Sequence, residues 1–118
     1  MGATGDALGD RQLLGEVEQL VLLAILRLGD GAYAVPIRDE ILKLTDVDLS
    51  RGTVYVTLDR LERKGYIRSW FADPTPEPGG KSRRCVAIER DGVMALRAAQ
   101  RMVDRLTAGT QLAPRKGK

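Results

Sequence analysis

The helical apolar period of the chain breaks at Gly65, and that break restricts the fold more than any other feature of the sequence. Before it, three blocks repeat apolar residues every three or four positions. After it come two short β-prone runs on either side of a proline-rich stretch, and then a helical period returns. Three helices, a hairpin and a trailing helix describe one small, mostly α domain with a β-hairpin. No repeat with a period of 20 to 50 residues is visible, so a solenoid or propeller is not expected.

The first block, residues 15–28, puts Leu13, Val17, Leu20, Val21, Ala24, Ile25 and Leu28 at helical spacing. Leu22, Leu23 and Leu26 fill the other side, which predicts a central helix buried nearly all round. Gly29-Asp30-Gly31 ends it, and Pro36 stands where the first turn of a second helix spares an amide hydrogen. That helix should reach about Leu44, with Ile37, Ile41 and Leu44 inward. Ser50 suits the N-cap of a third helix over residues 51–64. Its core face is Val54, Leu58 and Leu61, and the opposite face presents Arg51, Thr53, Thr57, Arg60 and Lys64. Gly65 supplies the left-handed stop.

Residues 66–71 and 83–88 read as two antiparallel strands joined by a projecting loop, residues 73–81, with three prolines and the pair Gly79-Gly80. A last helix opens at Asp91 or Gly92 and runs to about Ala108. The expected division is a frayed N-terminus over residues 1–12, a folded unit over 13–89, a C-terminal helix over 90–108 and a disordered basic tail over 109–118.

Charge is distributed unevenly. Residues 1–47 carry four basic and eight acidic side chains, a balance of −4, and residues 48–118 carry fifteen and eight, a balance of +7. The second half is therefore the one to meet a polyanion, unless it is an ordinary solvated surface. The chain has no histidine, so no imidazole serves as general acid or base. Its one cysteine, Cys85, has no second thiol with which to build a zinc site or disulfide. Ser50, Tyr55 and Cys85 thus lack an activating base, and neither an enzyme nor a cofactor is expected. The longest apolar run, residues 20–26, falls short of the roughly 20 residues a membrane helix needs, and a cytoplasmic protein is expected.

The order of elements is that of a winged helix-turn-helix with an added C-terminal helix. The run Ser50-Arg51-Gly52-Thr53-Val54-Tyr55-Val56-Thr57-Leu58-Asp59-Arg60-Leu61-Glu62-Arg63-Lys64-Gly65-Tyr66-Ile67 resembles the recognition-helix signature of PadR-type transcriptional regulators. Leu23-Ala24-Ile25-Leu26 with Tyr33 resembles the family's opening, and Gly79-Gly80-Lys81-Ser82-Arg83-Arg84 resembles its wing. Together these cover about residues 13–108. Arg51 stands where proline is common in the family, and Cys85-Val86 where an aromatic pair is frequent.

The resemblance implies double-stranded DNA as partner, a homodimer, an unidentified small-molecule effector, and repression of a nearby transport or stress-response operon. It marks Tyr33 and Tyr55 for DNA contact. Ser50, Arg51, Gly52 and Thr53 sit at the helix end that would enter the major groove, where amide ends favour anions. Gly52 either lets the backbone approach DNA or packs closely on a neighbouring helix, and Tyr55 either reaches a phosphate or packs beside Val54 and Leu58. Thr57, Arg60, Lys64, Lys81 and Arg83 are further candidates for phosphate contact. Strand alternation sends Arg83 and Arg84 to opposite faces, so one of them at most should point at DNA, and Arg83 is preferred. The last helix, with Val93, Leu96, Ala99, Val103 and Leu106, is the implied dimer element, joined by Leu13, Leu14 and Val17. It contains no aromatic residue of the kind with which some members of the family line a ligand pore. Trp70 and Phe71 are expected to pack the wing on the core, and Cys85 to be a structural thiol. A winged-helix module that binds a protein rather than DNA is the alternative.

Overall fold

Several helix boundaries have a local cause. In a computed structural model that describes residues 13–72 and 83–114, the elements are α1 (Glu16–Leu28), α2 (Ala34–Thr45), α3 (Arg51–Arg63), β1 (Ile67–Phe71), β2 (Arg84–Ile88) and α4 (Arg90–Thr107). Helix α1 starts where the Glu18 carboxylate accepts the Gly15 amide hydrogen at 2.8 Å. Helix α3 starts where the Ser50 hydroxyl oxygen accepts the Thr53 amide hydrogen at 3.0 Å, the cap expected from the sequence. It stops at Gly65, with φ +81°: the Gly65 amide donates to the Glu62 carbonyl and the Tyr66 amide to the Leu61 carbonyl. That paired closure needs the left-handed conformation which glycine adopts without strain.

β1 and β2 are antiparallel, with Ile67 opposite Ile88 and Phe71 opposite Arg84. The second edge of β2 is also paired, since the Val86 amide donates to the Ala32 carbonyl at 2.8 Å and the Gly31 amide donates to the Val86 carbonyl at 3.0 Å. The turn after α1 is therefore stitched to the hairpin. At the hairpin's other end the Glu89 amide donates to the Tyr66 carbonyl, and Gly92 lies so close to that carbonyl and to Ile88 that a Cβ there would collide with both. This contact seats the first turn of α4 against the base of the sheet.

Val21, Leu22 and Ile25 of α1, Ile37 of α2, Val54, Leu58 and Leu61 of α3, and Val86 of β2 are fully buried. Each such side chain contributes roughly 1.5–3 kcal/mol of transfer free energy, and together they fix the three helices against the sheet. The predicted core faces of α2 and α3 hold except at Leu44, which lies past the last inward turn of α2 and is exposed. α1 differs more. It is not buried all round, because only one stripe meets α2, α3 and β2 while Leu23, Leu26 and Leu28 remain at the surface. Leu96 and Ala99 of α4 and Leu14 before α1, expected at a dimer interface, are buried in this chain's own core. The first half of α4 covers the domain and its second half runs beyond it, leaving Val103 exposed and Leu106 83% exposed. Val93 and Val17 are half-buried, and Leu13 is exposed.

Residues 108–113 follow as turns, the Thr110 amide donating to the Thr107 carbonyl and the Ala113 amide to the Thr110 carbonyl. The expected N-terminal fraying, the wing loop with Lys81, and the last four residues of the basic tail lie outside the described residues. No helix among the described residues is long and apolar enough to cross a membrane.

Candidate nucleic-acid interface

Helix α3 has one inner face, two edges and one outer face, and the sequence decides what each does. The inner face is Val54, Leu58 and Leu61, joined by Thr57, which is only 3% exposed. The helical period places Thr57 outward, but the structure turns it inward. Its hydroxyl donates to the Thr53 carbonyl at 2.7 Å, so its polar atom is satisfied within the helix and it offers almost no surface for the phosphate contact expected of it.

The edge facing the hairpin carries two carboxylates. Arg84 of β2 donates to Asp59 and to Glu62, each at 2.7 Å, and the Ser69 hydroxyl of β1 donates to Glu62 at 2.7 Å. The Ser69 hydrogen bond, aided by Arg84, holds the Glu62 carboxyl below the usual glutamate range. Burial opposes the charge on Arg84, but its hydrogen bonds to Asp59 and Glu62 outweigh that cost and raise its pKa. Arg83, the residue before β2, does not join this clamp: it is exposed, with its guanidinium carbon 4.6 Å from the centre of the Tyr33 ring. Tyr33 stands at the N-cap of α2, half-buried under that cation.

The opposite edge meets α1. Lys64, a candidate for DNA phosphates by sequence, instead donates its ammonium hydrogens to both oxygens of Glu18, at 3.0 and 2.9 Å. Glu18 is a buried carboxylate of α1 that also accepts the Gly15 amide hydrogen, and Lys64 supplies the cation that balances its charge. Lys64 is thus a structural residue. Arg60 is exposed on the same edge and, with Arg63, Met94, Ala98 and Arg101, lines a groove of about 760 Å³ between α3 and α4. The sequence does carry a signal for the Glu18 pair, one that periodicity alone passes over: a carboxylate four residues from Leu14 and Leu22 on a buried stripe demands a partner.

What remains is the outer face and the N-terminal end. Arg51, Gly52, Thr53, Tyr55 and Val56 are all exposed, and no charged side chain among the described residues pairs with Arg51. A Cβ built on Gly52 would meet only the Ser50 hydroxyl, at 3.9 Å, so the glycine is not there to admit a neighbouring helix. Tyr55 lies on the surface rather than among Val54 and Leu58. Ser50 spends its hydroxyl on the cap and on Thr53, to whose hydroxyl it donates at 2.9 Å. Trp70 and Phe71, expected to pack the wing on the core, are exposed at the outer end of β1, with Arg68 5.6 Å from the Trp70 ring centre. Cys85 is a buried free thiol.

This arrangement is close to that of several solved structures. A transcriptional regulator from Clostridium thermocellum is 25% identical and superposes with a TM-score of 0.67, covering 77% of this chain and 85% of its own. A PadR family transcription regulator from Clostridium difficile is 24% identical with a TM-score of 0.63, over 79% and 95% of the two chains. The fold is a winged helix. A winged-helix DNA-binding protein from STIV, 20% identical, shares it with a TM-score of 0.63 over 82% of this chain and 97% of that one. No family model and no curated protein matches the sequence. In winged-helix terms α3 is the recognition helix, the β1–β2 hairpin is the wing, and Arg84 is the bolt between them. The resemblance carried by residues 50–67 therefore points to the right architecture.

Proposed function

We propose that this chain is a dimeric, PadR-type repressor that inserts the N-terminal half of α3 into the major groove and lays the wing along the bordering phosphates. The observation that carries the reading is the division of charge on α3. Its acidic residues Asp59 and Glu62 share the Arg84 guanidinium on the wing side, while Arg51 and, across the wing base, Arg83 are left for a polyanion. A helix meant only to pack gains nothing from an exposed basic end whose acidic residues are drawn towards the wing. The names borne by the similar structures, transcription regulators and a DNA-binding protein, agree with this role. No residue chemistry on this surface favours catalysis.

Two-fold pairing suits the exposed apolar side chains Met102, Val103 and Leu106 on the free half of α4 and Leu13 ahead of α1. A dimer would place two recognition helices for successive turns of a near-palindromic site, with half-sites about 34 Å apart. A nearby transport or stress-response operon is the proposed target, and an effector of unidentified chemistry the releasing signal.

Fluorescence anisotropy on the gene's own upstream DNA and on scrambled DNA, across a salt series, tests the reading. The expected result is preference for the upstream duplex with affinity falling steeply as salt rises. Absence of binding to either duplex at low salt would move the reading to a protein-interaction module. Sedimentation of Leu106→Glu, expected to be monomeric, checks the pairing.

A further inference from the structure

Val56 is the residue of the recognition helix that no packing argument explains. Val54, two positions earlier, is completely buried, whereas Val56 is 52% exposed. A β-branched side chain costs a helix some stability relative to alanine, and an exposed one recovers nothing from the core. It stands one turn after Gly52, on the same face, so at that neighbouring position no side chain obstructs approach. Around this apolar spot the helix is polar: Arg51 and Thr53 lie towards the N-terminus, Tyr55 and Asp59 towards the wing, Arg60 one turn further on and Arg63 two. Asp59, the one acidic neighbour on that side, is drawn to Arg84.

A side chain at the centre of a helix's groove-facing surface, with no donor and no acceptor, can recognise only one feature of the major-groove floor, the 5-methyl group of thymine. We propose that Val56 is a specificity-determining residue that reads a thymine methyl in each half-site, while Arg51, Thr53 and Tyr55 supply the polar contacts around it. The inference rests on the DNA-binding reading above and names one base feature that this reading leaves open.

The test works without a known operator. The best-bound duplex is selected from a randomised pool with the full chain, and its thymines are then replaced one at a time in each half-site by deoxyuridine, which lacks only the methyl. Wild type should lose about three- to fivefold in affinity at one thymine per half-site, the effect of one buried methyl group. Val56→Ala should lose a similar factor on the thymine duplex and be indifferent to deoxyuridine at that position. Val56→Thr, which keeps one methyl at the same place, should retain the discrimination. Wild type indifferent to every deoxyuridine, or Val56→Ala as sensitive as wild type, would overturn the assignment while leaving sequence-specific binding intact. A pool that yields no preferred sequence would instead remove the DNA-reading role and this inference with it. Alanine at an exposed helical position does not threaten folding, so a loss of discrimination cannot be mistaken for a loss of structure.

Discussion

The recognition helix is held by an ion-pair system at each edge, and the two sit in different surroundings. On the α1 side, Lys64 reaches Glu18 across 2.9 Å, with side-chain exposures of 24% and 6%. On the wing side, Arg84 reaches Asp59 and Glu62 across 2.7 Å, but those carboxylates are 56% and 41% exposed. Arg84 is itself only 17% exposed, but water reaches both of its carboxylates and screens this system more than the first. The first should therefore govern whether the domain stays folded. The second should govern where the wing stands and whether two negative charges face the DNA.

Breaking the buried pair gives the largest expected effect. Lys64→Met leaves the buried Glu18 carboxylate with the Gly15 amide but no cation, and the urea midpoint should report a loss of about 3 kcal/mol. Replacing both residues, as in Glu18→Leu with Lys64→Met, should recover most of it, since a well-packed apolar pair is often no worse than a buried ion pair. DNA affinity per folded molecule should hardly change in the double variant. A loss below about 1 kcal/mol in Lys64→Met would erase the contrast between the two edges.

The wing clamp should show the converse pattern. Arg84→Ala is expected to cost about 1 kcal/mol or less in stability, because both partners remain solvated. It should nevertheless weaken DNA binding about tenfold, since it frees the wing and unmasks Asp59 and Glu62 beside phosphates. Arg83→Ala removes a single exposed cation and should weaken binding about equally on any sequence, lowering the salt slope by roughly one phosphate contact. If Arg83→Ala proved more damaging than Arg84→Ala, the clamp would be incidental and the stacked cation over Tyr33 the main wing contact.

Ser50→Ala sharpens the comparison from the helix's other end. Its hydroxyl caps the Thr53 amide, and that cap is worth about 1 kcal/mol, intermediate between the buried pair and a single exposed one. Equal losses in urea for Ser50→Ala and Lys64→Met would mean that helix capping, not desolvated charge, anchors α3.

How much of this is legible in the sequence depends on the range of the interaction. Ser50, Gly65, the α3 core triplet Val54, Leu58 and Leu61, and the opposite facing of Arg83 and Arg84 are settled within a few residues, by capping, backbone conformation or period. The positions that sequence misplaces share the opposite property. Thr57 and Lys64 sit at the margins of the polar arc of α3, where a shift of some tens of degrees decides between core and solvent and only the neighbouring helix resolves it. Leucines on every side make α1 look central, but a small domain has too little material to cover them all, and Leu23 and Leu26 stay exposed. Leu96 and Ala99 belong to the same stripe as Val103 and Leu106, and nothing in a stripe says where a helix leaves its own core. Val56 escapes a reading by period for the reverse reason, since an apolar residue off the core face carries no signal until its exposure is known.

The smallest expected effect is a dependence on pH. Ser69 and Arg84 hold the Glu62 carboxyl below its ordinary value, so the native state binds its proton less readily than the unfolded chain does. The stabilisation this gives is complete above the unfolded glutamate pKa of about 4.3 and is lost as pH falls through the lower native value. Glu62→Gln cannot titrate there. The stability gap between wild type and Glu62→Gln should therefore be constant from neutral pH to about 5, narrow below that, and close once both native and unfolded carboxyls are protonated. The gap should be slight at every pH, because Glu62 is solvated and Asp59 still holds Arg84 in the variant. Urea unfolding of the two proteins between pH 7 and pH 3 measures it. A gap that widened on acidification would show that the native fold favours the protonated carboxyl, contrary to a clamp made of Ser69, Glu62 and Arg84.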